Sequence, residues 1–104
     1  MKKSYWTGII NREKTEAISE ICSAIDKYAI ILNFQRFSDI SIGLVIEIEE
    51  SRLRDLFDSL NISMNIEGYD QGLPDSKATC NVMLNVTFTK GTGDLLIAIP
   101  DIPD

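Results

Sequence analysis

At 104 residues the chain has room for one domain with one real core, and 44% hydrophobic with 25% charged residues is ordinary for a globular protein. Ten basic against sixteen acidic residues leave a net charge of -6 with the cations scattered, which argues against nucleic acid as a partner. Histidine is absent, so the commonest general base and the commonest metal ligand are both missing. No run approaches the ~18 apolar residues of a membrane span. The opening MKKSYWTGIINREK lacks the apolar stretch of a secretory signal. The cytoplasm is the expected location, and there Cys22 and Cys80 are expected as small buried hydrophobes rather than a disulfide.

In chain order, Tyr5–Ile10 (YWTGII) is rich in strand formers and predicts a first strand. A helix follows, because Ile18, Ile21, Cys22, Ile25 and Tyr28 recur at the spacing of one helical face. Ala29–Phe37 (AIILNFQRF) predicts a strand with Ile30, Leu32 and Phe34 on one side. A turn at Ser38-Asp39 leads into the clearest pattern of the chain: Ile40, Ile42, Leu44, Ile46 and Ile48 alternate with Ser41, Gly43, Val45, Glu47 and Glu49. Ser51 is placed to cap a short second helix with the stripe Leu53, Leu56, Phe57 and Leu60, which Asn61 ends.

Ser63–Tyr69 predicts a fourth strand whose end Gly68 weakens, and Asp70–Thr79 is a long loop of turn residues. Cys80, Val82, Leu84, Val86 and Phe88 then alternate with more polar residues as a half-buried strand. KGTGD turns the chain, and Leu95–Ile99 is expected to return as the hairpin partner of that strand. The order is β-α-β-β-α-β plus a hairpin. It predicts a ferredoxin-like α+β sandwich, an antiparallel sheet with two helices on one face. Residues 1–104 are expected as a single domain, with a 5–69 core and an 80–99 hairpin extending the sheet.

The stretches EKTEAISEICSAIDKYAIILNFQRFSD, ISIGLVIEIEE and RLRDLFDSL resemble the ACT domain, a small ligand-binding and dimerising regulatory module. Over residues 5–69 the chain is similar to the ACT-like domain of some bacterial phosphoserine phosphatases. The resemblance implies a homodimer formed through a sheet edge or face, and an amino-acid-like ligand where the first strand meets the first helix. Carried onto this chain, that site is Asn11, Arg12, Lys14, Thr15 and Glu16, with Arg12 or Lys14 countering a ligand's negative charge. The family commonly opens this helix with Pro and Gly, where backbone amides approach the ligand. This chain has Thr15 and Glu16 there, behind Glu13.

Carboxylates at that point complement the helix dipole themselves and repel an incoming carboxylate. The loop therefore reads as a helix start that satisfies itself, with Asn11 as cap. Glu47, Glu49 and Glu50 form an acidic cluster that is expected to be a solvated strand end. The Gly-x-Gly of KGTGD precedes a strand instead of the helix a phosphate loop requires. Neither cysteine has a histidine to activate it.

The expected function is a non-enzymatic, ACT-like regulatory or ligand-binding dimer with no cofactor and no metal. The alternative is an acidic interaction module, of inhibitor or immunity type, that binds a basic protein partner.

Overall fold

The computed structural model describes residues 2–70 and 72–89. The chain runs β1 (Lys2–Ile10), α1 (Lys14–Asp26), β2 (Ile30–Ser38), β3 (Ser41–Glu49), a 3₁₀ turn (Glu50–Arg52), α2 (Leu53–Asn61), β4 (Asn65–Glu67) and β5 (Thr79–Phe88). This is an α+β fold with a five-stranded sheet in the order β2-β3-β5-β1-β4. Among the described residues no helix is long and apolar enough to cross a membrane.

The sheet is mixed where an antiparallel one is expected. β1 and β5 pair in parallel along their whole length, from Lys2 opposite Cys80 to Ile10 opposite Phe88. The pairs β3–β5, β2–β3 and β1–β4 are antiparallel. β5 is thus no extension at the margin, because it occupies the centre of the sheet with β3 on one side and β1 on the other. The expected partner of β5, Leu95–Ile99, lies outside the described residues, and along β5 both hydrogen-bonding edges are already taken.

Strand alternation builds the core. Ile42, Leu44, Ile46 and Ile48 of β3 stand opposite Val86, Leu84, Val82 and Cys80 of β5, and all eight are buried. Trp6 and Ile10 continue that face onto β1. Ala17, Ile21 and Ile25 of α1 and Leu53, Leu56 and Leu60 of α2 join the same cluster, so both helices cover one face of the sheet. Beneath α2, Trp6 meets Phe57 and Tyr69 edge-on, with ring centroids 6.0 and 5.8 Å away, and Phe57 stacks on Tyr69 at 4.1 Å. The Trp6 Nε1 and Tyr69 hydroxyl are buried here without a partner among the described residues, which makes this the least well satisfied corner of the core.

Two local details depart from the sequence pattern. Ser51 does not cap α2. Its hydroxyl donates to the Glu49 carboxylate at 2.6 Å, and its backbone N–H donates to the Ser76 carbonyl at 2.9 Å. The loop before β5 has pulled the chain into a 3₁₀ turn at that point. In β2, the pairing shifts between Ile31 and Asn33, so Ile30 lies opposite Glu47 on the open face while Phe34 lies opposite Leu44 on the helix side. A bulge at Leu32 therefore puts Ile30 and Phe34 on opposite faces, where strict alternation puts them on one. Beyond β4, Gly68 adopts φ 94°, and a Cβ there would run into the Tyr5 carbonyl oxygen.

Candidate interaction surface

The five residues expected at a ligand site are all at the β1–α1 junction, and all five make contacts within the chain. Glu13, in extended conformation at φ -63° and ψ 137°, is the N-cap of α1 in place of Asn11. Its carboxylate accepts from the backbone N–H groups of Thr15 and Glu16, both at 3.0 Å. Those two donors hold the Glu13 carboxyl below its ordinary range. Asn11 accepts through Oδ1 from the Thr89 hydroxyl at 3.1 Å, at the end of β5. Arg12 forms a two-pronged ion pair with Glu20, in the second turn of α1, and Lys14 donates to the Asp39 carbonyl at 3.1 Å.

The helix start is closed by its own carboxylate, and an anionic ligand there has to displace Glu13 from two amides. Sequence reasoning foresees a self-satisfied helix start but names the wrong cap. Glu is an unusual N-cap, and the signal for it is Asn11 being drawn away to Thr89, a residue 78 positions distant.

The acidic cluster is also engaged. The Glu50 carboxylate accepts from the Leu73 N–H at 3.1 Å and lies 3.6 Å from the Lys2 ammonium. The backbone donor, the Ser76 hydroxyl and Lys2 together lower its pKa. Glu47 and Glu49 line an open cleft of about 500 Å³ with Asp26, Lys27, Arg52 and Lys77, three charges of each sign. There Arg52 sits 5.7 Å from the centre of the Tyr28 ring. Among the described residues no three His, Cys, Asp or Glu side chains converge as a metal site. Burial raises the thiols of Cys22 and Cys80 above their ordinary value, which leaves them poor nucleophiles at neutral pH.

The sheet carries the most distinctive surface. One face lies under the helices, while the other lies open among the described residues. On it, Asn33, Gln35 and Phe37 of β2, Val45 of β3, and Met83 and Asn85 of β5 line a depression of about 230 Å³, mostly apolar, floored by Gly43. Gly43 lets the Phe37 ring fold over the strand: a Cβ there would lie 2.5 Å from the ring as it stands. Tyr5 and Ile9 add exposed apolar surface on β1. At the margin, β2 is nine residues long and exposes Ile30 (60%), Leu32 (53%) and Phe37 (57%).

A row of apolar side chains on an edge strand is a template for pairing. The sequence signal was present in AIILNFQRF, where Ile30-Ile31-Leu32 run together and load both faces with apolar residues instead of alternating.

The chain matches no protein-family model, no curated protein and no solved structure.

Proposed function

We propose that this chain is a small non-enzymatic module of ACT-like type that works as a homodimer through the open face of its sheet. The carrying observation is that face, with its apolar depression of Phe37, Val45 and Met83 rimmed by Asn33, Gln35 and Asn85. Exposed apolar patches with polar rims are interaction sites more often than they are ordinary monomer surface. Four strands of nine or ten residues and the three-residue β4, at ~4.8 Å between strands and ~3.3 Å per residue, give a face of roughly 600 Å², the size of the smaller specific interfaces.

The ferredoxin-like relation is supported by strand directions. β1 and β2 run parallel with α1 between them in sequence, and β3 and β4 likewise with α2. Both βαβ units are split by intervening strands, and β5 is an insertion between β1 and β3. The non-enzymatic reading rests on the raised thiols, the absence of histidine and carboxylates already committed to partners within the chain. The occupied helix start favours regulation by association over capture of a free amino acid. The acidic-module alternative draws less support, since Glu49 and Glu50 are tied to Ser51, Leu73 and Lys2.

Sedimentation or light scattering at tens of micromolar tests the reading. The dimer is expected for the native chain and the monomer for Met83→Lys, with unchanged circular dichroism. A native chain that stays monomeric refutes it.

A further inference from the structure

The two ends of α1 treat their charges differently. At its start, Arg12 pairs with Glu20 and the Glu13 carboxylate is held by two amides. At its other end, where the chain runs through Lys27 and Tyr28 into β2, lies the cleft of about 500 Å³. The acids lining it are Asp26, Glu47 and Glu49, and the bases are Lys27, Arg52 and Lys77. Among the described residues none of these six forms an ion pair, the paired cations being Lys2, Arg12 and Arg54. Only Glu49 takes a side-chain hydrogen bond there, from Ser51 at 2.6 Å.

Four separate elements bring these charges to one place: the end of α1, β3, the 3₁₀ turn and the loop before β5. Glu47 and Glu49 are two positions apart on β3, so both point away from the helices, with Ile46 and Ile48 buried between and beside them. Glu47 lies opposite Ile30 of β2, and Glu49 lies opposite Thr79 of β5. Arg52 rests against the Tyr28 ring, which restrains its guanidinium before any ligand arrives. The last turn of α1 carries no basic residue, so the negative end of its dipole adds to the pull on a cation.

A cleft of one sign selects an ion of the other. Three charges of each sign, held apart around one opening, gain most from a molecule that carries both. We infer that this cleft binds a small zwitterion, its ammonium taken by Asp26, Glu47 and Glu49 and its carboxylate by Arg52, Lys77 and Lys27. A free α-amino acid and a short peptide both present that chemistry, and the volume is that of small-ligand sites. The cleft shares no residue with the apolar depression of the open face, so the inference stands or falls separately from the dimer.

Amide NMR spectra of the full chain test it, with four probes: a pool of free α-amino acids, a pool of dipeptides, and both pools with the amine acetylated or the carboxyl amidated. One of the two zwitterionic pools is expected to move the amides of Ala29, Ile30, Glu47 and Arg52, and which pool does so names the source. The blocked pools should bind roughly tenfold or more weakly, as should the native pools to Arg52→Gln and to Glu47→Gln. Both variants change side chains outside the core, and an unmoved spectrum elsewhere shows that they fold. No shift from either zwitterionic pool at about ten millimolar overturns the inference. Blocked pools that bind as well as the native ones overturn it, because one charge would then suffice. Shifts at Thr15 and Glu16 in place of the cleft would move the ligand to the helix start and overturn it too.

Discussion

β2 and β5 are near-equal strands with opposite fates. Each is nine or ten residues of mixed apolar and polar character, IILNFQRFS against TCNVMLNVTF. β5 buries all five of its alternating apolar residues, whereas β2 leaves Ile30, Leu32, Phe34 and Phe37 exposed. The difference lies in neighbours. β5 is paired on both edges and roofed by both helices, while β2, among the described residues, is paired only to β3 and bulges at Leu32. Composition makes a strand, and place in the sheet decides whether it is core or surface.

The largest test of that contrast is truncation at the two positions. Leu84→Ala in β5 is expected to cost about 2–5 kcal/mol, because no side chain can collapse into the gap between two occupied strands. Leu32→Ala in β2 should cost at most about 1.5 kcal/mol, since half of that side chain is exposed already. Urea unfolding of both variants decides, and equal costs would dissolve the distinction between centre and edge.

A smaller effect probes the contact between β2 and its neighbour. Gly43→Ala places a Cβ against the Phe37 ring, an exposed side chain that can swing aside, so a loss of at most about 1 kcal/mol is expected. In the Phe37→Ala background the same substitution should be neutral. A double-mutant cycle with no coupling would mean the ring does not lie over Gly43.

The smallest effect concerns pH. Glu13 and Glu50 both have folded pKa values below the ordinary 4.5, through hydrogen bonds from Thr15 and Glu16 and from Leu73 respectively. Depressed carboxylates contribute stability that is complete above the ordinary value and is lost as pH falls through the folded one. The urea midpoint should therefore hold from pH 7 to about 5 and fall below about 4.5, and Glu13→Gln should flatten part of that fall. A midpoint that rises on acidification would contradict both assignments.

Much of this protein was legible in the chain itself. Period-2 alternation marked β3 and β5 and named their buried faces, since a strand with one face in the core must repeat every second residue. Period 3.6 marked the stripes of α1 and α2, although Ala17, too small to stand out in a pattern, took a place in the buried face that the larger Ile18 only partly holds. The carboxylates at the start of α1 announced a helix start that its own side chains cap, as Glu13 does.

Other features belonged to the tertiary structure alone. Pairing order is set by which edges meet, which local pattern does not encode, so the strand expected at the margin lies at the centre, parallel to β1. The Leu32 bulge reverses the face of Phe34 without altering the residues that precede it. Asn11 gave up the cap because Thr89, distant in sequence, reaches it in space. Short-range periodicity determined what each segment could be, and long-range pairing decided which of them came to be buried.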